Sequence, residues 1–175
     1  MMRITILRLG HRFSRDKRIS THIALVSRAF GAQELILDAV DTDVAESVSK
    51  VCEQWGGTLK VSYTDDYKKT LQDFKGEIMH LTMYGINVND CIDDIRTSKK
   101  DKLIIVGGQK VPSEVYQIAD YNIAIGSQPH SEVAALSVFL DRLYRGKELE
   151  KDFKGRKKII PQEKGKKVIE SNTAP

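Results

Sequence analysis

Residues 102–108 read KLIIVGG, and this stretch decides the fold. Leu103, Ile104, Ile105 and Val106 are apolar without alternation. A strand with one wet face alternates apolar and polar residues. A continuous apolar run stopped by glycine is instead a strand covered on both faces, as in a buried parallel sheet. Parallel neighbours need crossover connections, so helices should flank this run in the chain. Downstream, Pro112 opens a helical pattern through Val115, Tyr116 and Ile118. Residues 121–126 (YNIAIG) read as the last strand. Ser131 then starts a long helix through Val133, Leu136, Phe139, Leu140 and Leu143 that stops at Gly146.

The same alternation extends upstream. Strands are predicted at residues 4–9 (ITILRL), 34–39 (ELILDA), 58–63 (TLKVSY) and 77–84 (EIMHLTMY). Between them, Ser20 or Thr21 caps a helix running to Gly31, and Asp41 or Asp43 caps one running to Gly56. A short helix passes through Tyr67, Leu71 and Phe74, and Asn89 or Asp90 caps another through Ile92 and Ile95. Six strands alternating with six helices imply an α/β fold, a doubly wound, mostly parallel sheet. Residues 1–146 form this domain, and residues 147–175 form a basic C-terminal extension whose KIIP and KKVIE segments are short strands or docking segments.

Composition narrows the class. Of 175 residues, 41% are hydrophobic and 30% charged, too apolar for a disordered chain. No apolar run approaches the roughly 20 residues of a membrane span, and no secretory leader is evident. The expected location is the cytoplasm. Cys52 and Cys91 stand alone, and His11, His22, His80 and His130 lack metal-ligand spacing, so no metal is expected. The net charge of +4 is small, but it is segregated. Residues 1–20 carry +5, residues 21–146 carry −5, and residues 147–175 carry +4.

Ligands of open parallel sheets bind beyond the carboxyl ends of the strands. Three such ends carry glycine or small residues: residues 81–85 (LTMYG), 106–112 (VGGQKVP) and 124–132 (AIGSQPHSE). Each alone is an ordinary turn, but together they suggest one pocket read by backbone groups. The dinucleotide and P-loop fingerprints are both missing from the sequence. After the first strand, residues 10–18 (GHRFSRDKR) place Arg12, Arg15 and Arg18 every third residue, a pattern suited to phosphate contacts at the pocket mouth. His80 reads as a satisfied core or interface histidine, Trp55 as a core anchor, and His22 and His130 as capping or substrate-orienting groups.

These motifs carry a likeness. Residues 118–136 (IADYNIAIGSQPHSEVAAL), with the glycine turns before them, resemble the C-terminal half of SPOUT methyltransferases. Residues 8–22 (RLGHRFSRDKRISTH), 27–32 (SRAFGA), 55–57 (WGG), 80–85 (HLTMYG), 106–112 and 139–143 (FLDRL) are similar to the archaeal tRNA cytidine-56 2′-O-methyltransferase family within it. The likeness spans residues 4–146. It implies a C-terminal trefoil knot, S-adenosyl-L-methionine as methyl donor, tRNA as partner and a homodimer.

Leu81, then Gly107, Gly108, Gln109, Lys110 and Val111, then Ile125, Gly126, Ser127, Gln128, Pro129, His130, Ser131 and Glu132 are the implied cofactor-binding residues. Gly108, Gln109 and Ser127 stand where the family has Ala, Glu and Asn. The arginine that other ribose-methylating SPOUT enzymes carry on the first helix aligns with Leu25, so its role passes to Arg12, Arg15 or Arg18. Phosphate, water and His22 are the candidate proton acceptors. The alternatives are methylation of a base or another RNA, and a non-catalytic RNA-binding module.

Overall fold

In the computed structural model, residues 2–108 and 110–170 are described, apart from the side chains of residues 13–15. The strands are β1 (Ile4–Leu9), β2 (Glu34–Leu37), β3 (Lys60–Tyr63), β4 (Glu77–Asn87), β5 (Lys102–Gly107) and β6 (Tyr121–Ala124). The helices are α1 (Phe13–Ala29), α2 (Thr42–Trp55), α3 (Tyr67–Asp73), α4 (Val88–Thr97), α5 (Ser113–Ile118) and α6 (Glu132–Tyr144). A 3-10 turn (Lys147–Glu150) leads to the antiparallel pair β7 (Lys157–Ile159) and β8 (Val168–Glu170).

The six main strands pair in the order β3–β2–β1–β5–β4–β6, and every pair is parallel. The KLIIVGG strand lies between β1 and β4, shielded from water at both edges. Period-two geometry divides its side chains between two cores. Ile104 and Val106 join Ile4, Ile6, Met79 and Ile123 against α1, α2, α4 and α6. Leu103 and Ile105 join Leu7, Leu9 and Ile78 beneath α3 and α5.

Helix α1 differs from the expectation. It begins at Phe13, with Arg12 as its N-cap, and not at Ser20 or Thr21. The arginine segment is therefore two helical turns and not a loop. Its start lacks the usual signal, because Arg12 makes no side-chain capping bond. Asp16 supplies the anchor instead, accepting the Arg12 backbone N–H at 3.1 Å. Ser20 is buried inside the helix, and Thr21 donates back to the Lys17 carbonyl at 2.8 Å.

Other boundaries shift for local reasons. Asn87 caps α4, accepting from the Asn89 N–H at 3.0 Å. Pro112 is the N-cap of α5 and not its first turn. Strand β4 continues through Gly85 to Asn87. Its pairing with β6 shifts between Leu81 and Ile86, so both oppose Ile123 and residues 82–85 bulge outward. A Cβ on Gly85 would lie 2.3 Å from the Asn122 carbonyl oxygen, so only glycine fits that return.

The extension docks before it pairs with itself. Lys154 bridges to Gly56, and the Gly57 N–H donates to the Phe153 carbonyl at 3.1 Å. Arg28 lies over the Phe153 ring at 4.9 Å. Trp55 is half-buried at this junction and not a core anchor.

Candidate active site

The carboxyl ends of β1, β4, β5 and β6 surround a cavity of about 510 Å³. That is a cofactor-sized pocket. Its walls combine three elements of the expected cofactor set with the start of α1. From the predicted turns come Leu81, Gly107, Gly108, Val111, Ile125, Gln128, Pro129, His130, Ser131 and Glu132. Lys110, Gly126 and Ser127 belong to the same turns without lining the cavity. Gln109 lies outside the described residues.

Local chemistry shapes each turn. After β5, a Cβ on Gly107 would stand 2.1 Å from Val111 Cγ2, so the second turn closes tightly only over glycine. After β6, Gly126 takes a φ of +71°, a region L side chains rarely enter. His130 then clamps this turn, with Nε2 2.8 Å from the Ile125 carbonyl and Nδ1 3.1 Å from the Ser131 carbonyl. Ser131 caps α6, its Oγ accepting from the Ala134 N–H at 3.2 Å.

The floor under β4 is His80, buried, with Nδ1 2.9 Å from Asn122 Oδ1 and its ring edge-on to Tyr116 at 4.5 Å. Burial lowers its pKa, partly offset by Asn122. Thr82, at the bulge, bonds the Tyr116 hydroxyl at 3.1 Å.

On the α1 side the wall is charged. Arg12 and Asp16 both line the cavity. Arg12 Nε donates to Asp16 Oδ2 at 3.0 Å, which holds the Asp16 carboxyl below the ordinary carboxylate range. Arg18 and His22 are exposed on later turns of α1 and do not line the cavity. The Arg15 side chain lies outside the described residues. Of the three arginines, the structure thus brings Arg12 to the pocket. Residues from all three glycine-bearing turns and Arg12 line the one cavity.

The sequence reading missed several residues. Asp16 carries no sequence signal beyond being the one acidic residue among residues 1–20. The pattern of residues 77–84 predicts unbroken strand, whereas Thr82, Met83 and Tyr84 sit in the bulge of β4. Arg8 was counted as part of a basic end, although an arginine inside ITILRL at a core-facing step was a readable signal. The segregated +5 is also not a patch. Arg3 pairs with Glu34 at the amino end of β1, Arg8 meets Glu132, and Lys17 pairs with Asp43.

A buried cluster fixes the start of α1. His11 Nδ1 lies 2.7 Å from Ser20 Oγ, and His11 Nε2 lies 3.1 Å from Asp41 Oδ2. All three side chains are buried. Asp41 Oδ1 also caps α2 through the Asp43 N–H at 3.1 Å. Asp38 accepts the His11 backbone N–H at 2.9 Å. The β1–α1 turn is therefore held from both sides, and Arg12 follows directly from it.

The six-stranded parallel sheet and its helices are similar in fold to solved SpoU/TrmH methyltransferases. The chain superposes on the SpoU methyltransferase AviRb of Streptomyces viridochromogenes, solved in complex with AdoMet, with a TM-score of 0.58 at 14% identity, covering 83% of this chain and 58% of that one. It superposes on the A. aeolicus TrmH/SpoU tRNA modifying enzyme with a TM-score of 0.57 at 15% identity, covering 87% and 78%.

Within that fold the family is specific. Residues 55–169 match the family described as "tRNA ribose 2′-O-methyltransferase, aTrm56". The tRNA (cytidine(56)-2′-O)-methyltransferase of Pyrococcus abyssi is 56% identical over 173 residues, covering 95% of this chain and 87% of the relative. That of Methanothrix thermoacetophila is 52% identical over 172 residues, covering 97% and 98%. The chain belongs to this family of methyltransferases. The matched segment runs through most of the extension as well as the pocket turns.

Proposed function

We propose that the protein methylates the ribose 2′-hydroxyl of cytidine 56 in tRNA, with S-adenosylmethionine as donor. The observation that carries this reading is the meeting of the three turns with Arg12 around one cavity, in a chain of this family. The residues suit the donor. Gly107 and Gly108 leave backbone groups unshielded, Leu81 and Ile125 offer apolar contact, and Glu132 offers a carboxylate to a cationic ligand. When bound, S-adenosylmethionine supplies an electrophilic methyl group, and its transfer to the 2′ oxygen leaves S-adenosylhomocysteine.

The chain's own residues position the acceptor. Arg12 is half-exposed at the mouth, where it can take a backbone phosphate and steady the charge that grows on the 2′ oxygen. Arginine stays protonated, so it does not act as the base. Asp16 keeps the guanidinium over the pocket, and the His11–Ser20–Asp41 cluster keeps the helix start in place. The hydroxyl proton passes to the adjacent phosphate or to water at the open mouth. His22 stands outside the lining.

The same reading carries the superfamily's knot to the C-terminal half, supported by the β5–β4–β6 order and the packing of α6 against α1 and α4. It carries a homodimer, supported by exposed apolar side chains at Val138 on α6 and at Ile86. It places residues 147–175 as a basic extension and the enzyme in the cytoplasm with its tRNA.

The test is incubation with labelled donor and an unmodified tRNA transcript, followed by nucleoside analysis. 2′-O-methylcytidine, with alkaline cleavage blocked at the linkage after position 56, is the expected product. A methylated base would favour the second alternative, and lack of donor binding the third.

A further inference from the structure

Arg8 stands where the alternation of β1 reserves a core position. Ile4 and Ile6 precede it on the same face and are fully buried. Arg8 is itself only 2% exposed, yet it reaches the cavity wall. Its Nη2 lies 3.2 Å from Glu132 Oε1, at the start of α6. Its Nη1 donates to the Leu9 carbonyl. Its buried Nε has no hydrogen-bond partner among the described residues. A Cβ on Gly108 would lie 3.7 Å from Nη1 and 3.8 Å from Nη2, so the guanidinium packs beneath the second turn. One side chain from β1 therefore pairs with Glu132 and occupies the space next to the Gly107–Gly108 turn.

A guanidinium buried with an idle donor is costly, and leucine would fill the same space without that cost. The arrangement calls for a use. We infer that Arg8 is a positioning residue for the methyl-donor pocket, holding the Gly108 backbone and the Glu132 carboxylate in the relative placement that donor binding requires. The inference rests on the donor reading above. The planar fork matters, because it pairs with Glu132 through one nitrogen and donates to the Leu9 carbonyl through the other, a fixed geometry that the point charge of a lysine ammonium lacks.

Calorimetry with S-adenosylmethionine on the full chain tests this, with thermal melting in parallel. The variants are Arg8→Lys, Arg8→Met, Glu132→Gln and the Arg8→Met/Glu132→Gln pair. Both Arg8 variants should weaken donor binding about tenfold or more, as loss of a supporting contact does elsewhere. In turnover, KM for the donor should rise while KM for tRNA stays within about twofold. Arg8→Lys should keep a melting temperature near wild type and still lose donor affinity. The double variant should lose less affinity than the product of the Arg8→Met and Glu132→Gln losses, because the pair is coupled. Wild-type affinity in Arg8→Lys, or a lowered melting temperature with unchanged donor affinity in Arg8→Met, would overturn the inference and leave the donor reading standing. Failure of the wild-type chain to bind the donor would overturn that reading, and this inference with it.

Discussion

The two sides of the pocket are built by opposite means. At the ends of β4, β5 and β6 the wall is carried on turns whose backbone path is set by Gly85, Gly107 and Gly126 and clamped by His130. At the end of β1 the wall is side chain: Arg8, Arg12 and Asp16, braced by the buried His11 cluster. A backbone wall depends on where the chain can pass, so side-chain changes that leave the path intact should matter little. A side-chain wall depends on each functional group, so single changes should be costly.

The largest expected effect is on the charged side. Arg12→Ala should lower kcat by about 100-fold or more, as loss of one preorganised donor does elsewhere. Donor affinity by calorimetry should stay within about twofold, because the proposed role of Arg12 is toward the acceptor. An equal loss of both would erase the division between the two walls.

Next comes the brace. Ser20→Ala removes the partner of His11 Nδ1 inside a fully buried cluster and should cost about 1–3 kcal/mol in urea unfolding. The residual enzyme should lose kcat more than donor affinity, because the β1–α1 turn carries Arg12.

The pH dependence of His80 probes the floor of the backbone side. Its folded pKa lies below the ordinary value, so the native state holds it neutral. The unfolded chain binds that proton first as pH falls. Stability from this group is therefore complete above about pH 6.5 and is lost as pH drops toward the folded value. The difference in melting temperature between pH 7 and pH 5.5 should shrink in His80→Gln.

The smallest effect sharpens the contrast. Gly108→Ala places a Cβ at ordinary contact distance from Arg8, 3.7 Å away, and should change donor affinity less than about twofold. A large loss would show that the backbone wall also depends on the side chain at that position.

Legibility in the sequence followed the same division. The strands were readable because burial on two faces forces apolar runs, and their glycine-marked ends pointed to the turns that border the cavity at β4, β5 and β6. Helix α1 was misplaced because its first two turns are polar and its N-terminus is anchored by Asp16 reaching back, not by a capping side chain at the boundary. Arg12, Arg15 and Arg18 were equivalent by spacing. The structure separated Arg12, which lines the cavity at the start of α1, from Arg18, which is exposed on a later turn and outside the lining.

By itself, the sequence determined an α/β chain with a buried parallel sheet, three permissive turns and a family likeness, because these depend on local pattern along the chain. Tertiary structure alone decided the charges. Arg3 went to the opposite end of β1, Arg8 was drawn into the core to meet Glu132, and Arg12 was turned onto the pocket by Asp16. Each partner other than Asp16 lies on a distant segment, and electrostatic pairing acts through space, so a charge count along the chain could not reveal it.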